Sequence, residues 1–319
     1  MPCQACLTFS SNHRRNMHNS GWLILAATMA LFIDFAVVQG ELYNLTTSRI
    51  NDWVEIMERL DNYKINKNMY NVTFHKPSAK NHKKEPLGKL FTYIHPDVFK
   101  RKTIVAFIDL MSEYDPVLGH EEKNDEQKSK KIDAFVDAVM ESSVMKLLLQ
   151  LLKIRKIEIT QNLAKFREWF KQLWFTEYPR KDPDGVKDSS AFEHVFLGEF
   201  LDDKVLGMHS WIRFALLERR NEIEYLGYRI KKEGTYAEVQ FKWNGTMKIC
   251  SAMFLKTTPE FDIAFLTMSY LVHPTRIKFR GCWLKMAWYD LQIGNETFLS
   301  TVFPKPGNKC EAKKQAKKV

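Results

Sequence analysis

The chain has 319 residues, of which 45% are hydrophobic and 13% aromatic, with five cysteines and a formal net charge of +10 at pH 7. This apolar content excludes an intrinsically disordered protein and is enough for one or two domains with a sizeable core. The basic balance favours a polyanionic partner such as RNA, a heparin-like glycan or an anionic lipid surface.

The first forty residues have a composition of their own. Two arginines precede an apolar run over residues 22–38, which has the length of a signal-peptide core and is slightly short for a membrane-spanning helix. The small residues Val38 and Gly40 suit cleavage by signal peptidase. We therefore predict a signal peptide over residues 1–40, secretion, and no stable membrane association after cleavage. The alternative is a single-pass membrane anchor with a lumenal or extracellular domain.

Sequons and cysteines agree with a secreted protein. Three cysteines remain after the predicted cleavage, so one disulfide and one thiol form the simplest arrangement, and Cys250–Cys282 is the predicted pair. Four N-x-[ST] sequons mark acceptor asparagines for glycosylation, namely Asn44, Asn71, Asn244 and Asn295.

From residue 50 to about 178 the apolar residues recur with the period of a helix. Such stripes are typical of helices with one buried face. They include Trp53, Ile56, Met57 and Leu60; Phe135, Ala138 and Val139; Met145, Leu148, Leu149 and Leu152; and residues 163–174. The highly charged stretch 119–131 indicates an exposed loop or helix entry, and the stretch 178–190 indicates a linker because it is rich in helix- and strand-breaking residues.

From residue 191 onward the pattern changes to strands. An alternating run over residues 239–243 meets Asn244-Gly245, which predicts a hairpin with a return strand over residues 247–255. Thr258-Pro259 then predicts the N-terminus of a helix. Further strands are predicted at residues 277–279 and 283–291.

These patterns predict an α+β protein. The main domain covers residues 41–304, with a helical part to about residue 180 and a part rich in antiparallel sheet over residues 190–304. The lysine-rich end, residues 305–319, is predicted to be a basic disordered tail.

Two histidines, fifteen positions apart, lie in the most distinctive segments of the sheet-rich part. Strand alternation places His194 on one face with its neighbouring phenylalanines, and Glu193 and Glu199 on the other. His209 comes just before Ser210, a good helix N-cap, and the positive end of a helix favours a bound phosphate. The alternative for each histidine is a hydrogen-bonded core residue.

Two histidines that flank a phosphate form an acid–base pair, because imidazole titrates close to neutral pH. One ring takes a proton from the nucleophile, and the other gives a proton to the leaving oxygen. RNA carries its own nucleophile in the 2′-hydroxyl, so such a site needs only an acid, a base and a positive charge for the phosphorane. The products would be a 2′,3′-cyclic phosphate and a 5′-hydroxyl.

Several ordered motifs resemble the EndoU (placental protein 11-like) family of poly(U)-specific endoribonucleases. FEHVFLGE at residues 192–199 resembles the family's FEHVFxGE, and GMHSWIRF at residues 207–214 resembles GxHNWIQF. Residues 245–251 and 258–264 resemble the stretches G-x-x-K-P-V-S and S-P-E-F-E-x-A. The resemblance spans about residues 50–304 and implies the EndoU fold, with cleavage of single-stranded RNA at uridines.

Carried over position by position, the resemblance assigns roles to individual residues. It implies that His194 and His209 are the catalytic histidines and that Lys248 is the catalytic lysine, with Lys256 as a rival of poorer context. It implies that Glu193 and Glu199 support activity by orienting a histidine or by helping to bind manganese. It also implies two uracil contacts, Tyr289 (or Trp288 if the register slips by one) and Ser251.

Departures from the family pattern weaken the prediction of uridine preference more than the prediction of RNA cleavage. They are Ser210, Arg213, Ile249, Cys250 and Ala252, which stand where the family usually has asparagine, glutamine, proline, valine and serine. They motivate an alternative function, a catalytically weak secreted protein that binds RNA or glycan. Manganese is implied by the resemblance alone, because the sequence shows no clear set of three or four metal ligands.

Overall fold

The computed structural model describes residues 45–61, 68–78, 85–156, 158–232 and 234–310. The predicted signal peptide, the sequon asparagine Asn44 and residues 311–319 of the predicted tail lie outside these ranges. Within the described ranges no helix combines the length and the apolar character needed to cross a membrane.

Five helices form the first part of the described chain. Four of them begin at residues that cap the helix with a side-chain oxygen, which satisfies backbone amides that have no partner within the helix. They are α1 (Thr47–Leu60), α2 (Lys102–Met111), α3 (Glu126–Glu141), α4 (Ser143–Ile154) and α5 (Leu163–Phe175), with short 3₁₀ turns at Pro96–Lys100 and Glu158–Gln161. The predicted helical stripes are therefore confirmed, although Ile56 of α1 faces solvent.

The second part is rich in antiparallel sheet and contains two more helices, α6 (Trp211–Arg219) and α7 (Pro259–Val272). The pair of β3 (Glu199–Leu201) and β4 (Lys204–Leu206) lies in this part, whereas the pair of β1 (Tyr70–Val72) and β2 (Phe91–Ile94) lies between α1 and α2 in the first part. One three-stranded sheet has the order β5-β6-β7, formed by Ile223–Lys232, Tyr236–Trp243 and Thr246–Phe254. The other has the order β10-β9-β8, formed by Glu296–Cys310, Cys282–Ile293 and Ile277–Phe279. The α+β class is confirmed.

Helix α7 joins the two parts into one core. Thr258 caps it as predicted, and every residue from Pro259 to Val272 is buried, including the acidic Glu260 and Asp262 of its first turn. It contacts α1, α2, α3, α4 and β10. The indole of Trp174 in α5 donates a hydrogen bond to the hydroxyl of Thr267, 2.9 Å away.

The predicted hairpin at Asn244-Gly245 is confirmed, because Trp243 pairs with Thr246 across the turn. Strand β10, in contrast, was not predicted. Its Pro304 and Pro306 argue against a central strand, but β10 is an edge strand, where a missing amide donor is tolerated. The prediction of a disordered tail is wrong for residues 305–310, which belong to β10.

The predicted Cys250–Cys282 disulfide is wrong. The structure joins Cys282 to Cys310, which lie opposite each other at the end of the β9–β10 pair. Cys250 keeps a buried thiol on β7. The correct pairing requires β10, which brings Cys310 opposite Cys282 and which the sequence pattern did not predict.

Two stretches expected at the surface contribute buried charges instead. Glu122 and Lys128 are buried at the entry to α3, where Asp125 caps the helix. Arg180 and Asp188 are buried in the predicted linker, which folds back on itself through a bridge between Tyr178 and Ser189. Lys128 pairs with both Glu122 and Glu177, and Arg180 pairs with Glu199, contacts that the local pattern did not predict.

Candidate functional site

His194 lies on a π-helical turn, Glu193–Leu197, and not on the predicted strand. The hydroxyl and carbonyl of Ser190 accept hydrogen bonds from the amides of Glu193 and His194, which starts the turn. The amide of Gly198 closes it by donating to the carbonyl of Glu193 at 2.9 Å. The strand prediction was wrong because Phe192 and Phe196, four residues apart, satisfy both a period of two and a helical period. Single π turns often occur at functional sites.

The segment before α6 brings His209 beside that turn. The amides of Met208 and His209 donate to the carbonyls of His194 and Val195, at 3.0 and 2.6 Å. A Cβ on Gly207 would lie 1.7 Å from the His194 carbonyl oxygen, so only glycine permits this approach. Ser210 then caps α6 by accepting from the Arg213 amide, which confirms the predicted cap.

Lys248 comes from β7, the return strand of the hairpin. Lys248 is buried, with only 7% of its surface exposed. Its ammonium donates a hydrogen bond to the Val205 carbonyl on β4 at 3.0 Å. Burial is the main cause of the lowered pKa of His194 and of His209, and the charge of Lys248 contributes to both, so the three predicted catalytic residues lie near one another. Ser251, further along β7, is fully buried and donates its hydroxyl to the Met208 carbonyl.

A charged network holds the His194 ring. Nδ1 of His194 donates to Glu199 Oε2 at 2.8 Å, and the Glu199 carboxylate also accepts from the Ser189 hydroxyl and pairs with Arg180 at 3.4 Å. Burial opposes ionisation of Glu199, but Arg180 and His194 hold the pKa of its carboxyl below the usual range. Burial, with Arg180, lowers the pKa of His194 to about 4, against the opposing effect of Glu199.

Arg180 is the residue that the sequence missed in this network. Its guanidinium donates to the Ser189 hydroxyl at 2.8 Å and to the hydroxyl and carbonyl of Ser300 at 3.0 and 2.9 Å. It thereby connects the 178–190 loop, the carboxylate behind His194 and strand β10. An arginine flanked by prolines and aspartates in a breaker-rich stretch carried no signal for burial.

His209 is held without any ionic partner. Its Nδ1 donates to the Ala252 carbonyl at 2.8 Å, and its ring stacks on Phe303 of β10 with centroids 4.7 Å apart and planes 4° apart. Burial, followed by the nearby Lys248 and His194, lowers the pKa of His209 well below its ordinary value. Both imidazoles are therefore neutral near pH 7 in the protein without substrate, with Nε2 left as the acceptor nitrogen.

The same face of the β9–β10 sheet brings Tyr289 toward His209. Residues opposite each other in the pair, and residues two apart on one strand, share a face of the sheet. Tyr289, Phe303 and Lys305 therefore lie on one side. The Lys305 ammonium lies 5.4 Å from the Phe303 ring and 3.4 Å from the Tyr289 hydroxyl. Trp288 points to the opposite face and stacks on His273, so the structure places Tyr289, and not its neighbour, on the side of the histidines.

Glu193 points away from His194. One of its oxygens accepts from the Ser190 hydroxyl, and its carboxyl interacts with Glu122 and Lys128 in the helical part. Glu199 hydrogen-bonds to the His194 ring, whereas Glu193 interacts mainly with Ser190 and with Glu122 of the helical part. Among the residues that the structure describes, no three His, Cys, Asp or Glu side chains are grouped to hold a metal ion. Manganese therefore stays an expectation from the resemblance, with no ligand set assigned among these residues.

Comparison with known proteins places this geometry in context. The family model described as Endoribonuclease XendoU matches residues 49–304. A human protein named uridylate-specific endoribonuclease is 33% identical over 213 residues, which are 66% of this chain and 50% of that protein. Uridylate-specific endoribonuclease D of Xenopus laevis is 31% identical over 226 residues, 67% of this chain and 70% of that protein. The chain spans about half the length of the human and mouse relatives.

A solved structure titled "The structure of XendoU: a splicing independent snoRNA processing endoribonuclease" shares the fold. It aligns with a TM-score of 0.69 over 82% of this chain and 98% of its own length. The sequence identity of that alignment is 24%, so the likeness concerns the arrangement of helices and sheets.

Proposed function

The chain belongs to the XendoU endoribonuclease family, and from that premise we propose that it cleaves single-stranded RNA at uridines. The observation that carries the proposal is the cluster of His194, His209 and Lys248, in which each imidazole uses Nδ1 for a structural hydrogen bond. Both Nε2 atoms then serve proton transfer at one phosphate. The names of the human and frog relatives support the substrate and the base preference.

His209 is the general base in this proposal. Its Nδ1 donates to the neutral Ala252 carbonyl, so Nε2 is an acceptor, and the depressed pKa keeps it unprotonated at neutral pH. It takes the proton from the 2′-hydroxyl, whose oxygen then attacks the adjacent phosphorus.

His194 is the general acid. The Glu199 carboxylate stabilises its imidazolium, and an approaching phosphate raises the pKa of the ring further because an opposite charge favours the protonated form. His194 gives its proton to the departing 5′-oxygen as the phosphorus–oxygen bond breaks. The ammonium of Lys248 stabilises the negative charge of the phosphorane that forms before this bond breaks. The products are a 2′,3′-cyclic phosphate and a 5′-hydroxyl.

Uridine selection is proposed to come from Tyr289. It lies on the His209 side of the β9–β10 sheet, where an aromatic ring can stack on a base. Ser251 is buried and donates to Met208, so its contribution to selection would act through the position of His209. Manganese has no assigned ligands here and takes part in no proposed step.

Secretion is proposed on independent grounds. The Cys282–Cys310 disulfide favours an oxidising compartment. The described sequon asparagines are all exposed, two of them on hairpin turns, as an oligosaccharide acceptor requires: Asn71, Asn244 and Asn295.

The test is cleavage of an oligonucleotide with a single uridine, using the purified full-length protein. A matched substrate with 2′-deoxyuridine at that position should remain intact, because it lacks the nucleophile. Mass spectrometry of the upstream product should give the mass of a cyclic phosphate. His194→Ala, His209→Ala and Lys248→Ala should each reduce the rate at least about 1000-fold.

Lys242→Ala is the matched control for the lysine, because Lys242 lies on the neighbouring strand β6 and pairs with Glu224. It should keep the wild-type rate. Cleavage of the deoxyuridine substrate would refute 2′-hydroxyl attack. RNA binding with no cleavage by a folded wild-type protein would instead favour the alternative of a binding protein, and that binding should weaken steeply with salt.

A further inference from the structure

The face of the β10-β9-β8 sheet that carries Tyr289 and Phe303 continues past the catalytic site. Residues at even spacing on β9 share a face, so Trp283 and Lys285 lie on the same side of the sheet as Tyr289. The register of the β9–β10 pair places Lys305 opposite Lys285. The distance along β9 from Tyr289 to Trp283 is about 20 Å at the rise of a β-strand. This face therefore extends the catalytic site by the length of several nucleotides.

The two faces of this sheet differ in burial. On the opposite face, Leu284 and Met286 are buried in the core. On the catalytic side, Lys285 is exposed, and Trp283 and Lys305 are half-buried. An antiparallel sheet that covers a core with one face presents its other face to solvent. The side chains on the catalytic side are therefore accessible to a ligand.

The charged side chains on this part of the face are basic. Lys285 and Lys305 stand opposite each other, and the guanidinium of Arg276, just before β8, lies 4.6 Å from the centre of the Trp283 ring. Among the residues that the structure describes, no carboxylate forms an ion pair with any of these three cations. Like charges directly opposite each other destabilise a sheet. A bound polyanion would remove this repulsion.

A continuous series of contacts leads from the histidines to these cations. The His209 ring stacks on Phe303 with centroids 4.7 Å apart, and the Lys305 ammonium lies 5.4 Å from the centre of the Phe303 ring. Lys285 is directly opposite Lys305, and Trp283 follows on the same face. A strand of RNA held at His209 can therefore pass along these side chains without leaving the sheet.

We propose that RNA bound at the catalytic site continues along this face, which we call the basic track: Lys305, Lys285, Trp283 and Arg276. The cations bind phosphates, and Trp283 with Arg276 stacks on a base, because bases stack on aromatic rings and on guanidinium planes. The track favours a uridine within a longer single strand over a short fragment, whatever the neighbouring bases. The inference deepens the proposed function, and only its cleavage arm below rests on that function.

Trp283 favours RNA over a sulfated glycan as the occupant of the basic track. Both polyanions match the charges of the track, but nucleic acid also supplies flat bases that stack on an indole. A heparin fragment would be held through its charges, so replacement of the Trp283 ring should change its affinity little. The dependence of binding on this ring therefore separates the two occupants.

The binding experiment measures fluorescence anisotropy with the full-length protein and oligonucleotides whose single uridine is 2′-deoxyuridine, so that no cut occurs. A short oligonucleotide is compared with oligonucleotides extended by several adenosines on the 5′ or the 3′ side. Extension on one of these sides should tighten binding at least about 10-fold. Trp283→Ala should remove most of this gain, and Trp283→Phe should keep most of it.

Lys285→Ala tests the charge of the basic track. For the extended oligonucleotide, the slope of log Kd against log salt should become smaller by about 0.7, the value for one phosphate contact on a single strand. Lys130→Ala is the matched control, since Lys130 is a 73% exposed lysine on α3, and it should keep the wild-type slope. Because Lys285 faces Lys305, its removal should not lower the melting temperature, which distinguishes lost binding from lost stability.

The cleavage arm uses the same oligonucleotides with a normal uridine. The ratio of kcat/KM for the extended substrate to kcat/KM for the short one should fall about 10-fold in Trp283→Ala, and the loss should appear in KM. If Trp283→Ala does not fold, Arg276→Ala and Lys285→Ala carry the test, because both side chains are exposed.

Equal affinity of the wild-type protein for short and extended oligonucleotides would overturn the proposal. So would folded Trp283→Ala and Lys285→Ala variants that bind the extended oligonucleotide as the wild type does. A heparin fragment that binds more tightly than extended RNA, with both affinities unchanged in Trp283→Ala, would assign the face to a glycan. Binding that depends on the basic track, without any cleavage, would refute the proposed function and leave this inference standing.

Discussion

The two histidines of the site are held by opposite means. The His194 ring lies against an ionised carboxylate, Glu199, which Arg180 supports from behind. The His209 ring lies between a neutral carbonyl and the flat face of Phe303. Both rings are equally buried and both have a lowered pKa, but only the His194 ring has a carboxylate beside it that opposes this lowering. In the proposed mechanism this difference in surroundings, and not the residue type, distinguishes the acid from the base.

The two environments are joined at a single point. Gly207 places the backbone of the His209 segment against that of the His194 turn, and the hydrogen bonds from Met208 and His209 fix their spacing. Proton transfer at one phosphate requires both Nε2 atoms at fixed positions, because misplacement of about 1 Å costs roughly 100-fold in rate. Substitutions at the Gly207 junction, beside His194 or beside His209 therefore test how the two rings are positioned.

Breaking the junction should have the largest effect. Gly207→Ala places a methyl group 1.7 Å from the His194 carbonyl oxygen, so the two segments must separate and the rate should fall more than about 100-fold. Gly294→Ala is the control, because Gly294 also has a positive φ but has open space around its Cβ position. Steady-state cleavage and thermal melting should be measured for both. A Gly207→Ala protein with wild-type kcat would contradict the described geometry.

Removing the charge on the His194 side should have the next largest effect. Glu199→Gln leaves the imidazolium without its carboxylate, and kcat should fall about 100-fold. Since Glu199 raises the pKa of His194, its loss lowers that pKa further, and protonated His194 then exists only at lower pH. The alkaline limb of the kcat–pH profile should move to lower pH. An alkaline limb that stays in place would assign the acid role to a group other than His194.

Loosening the His209 side should have the smallest effect. Phe303→Leu removes the stacked ring but keeps an apolar side chain, so kcat should fall about 3- to 10-fold with little change in the protonation of His194. Phe303→Tyr keeps the ring and should restore most of the rate. If the leucine and tyrosine variants are equally slow, the stacked ring does not position His209.

Much of the fold followed from periodicity. The helical stripes, the Asn244-Gly245 hairpin and the Thr258 cap each depend on signals a few residues apart, and these predictions were confirmed. The His194 turn was assigned to a strand because its phenylalanines fit both periods. Strand β10 was missed because its prolines are tolerated only at a sheet edge, and the order of strands is not a local property.

The residues that hold the two histidines in place were harder to predict from the sequence than the histidines themselves. His194, His209 and Lys248 were found through motif resemblance, and the structure brings them together. Arg180 and Phe303 depend on contacts between residues distant in sequence; Arg180 and Ser300, for instance, are 120 positions apart. A charged residue in a polar stretch has the same local pattern whether it is solvated or buried with a partner.

Helix α7 has a consequence for how this protein can be divided. It is buried along its whole length against α1, α2, α3 and α4 on one side and β10 on another. The change of pattern near residue 180 thus separates two kinds of secondary structure that share one hydrophobic core. A recombinant fragment that begins there would carry the catalytic residues but expose an apolar helix to water. Natural rearrangements of this fold are expected to transfer both parts together.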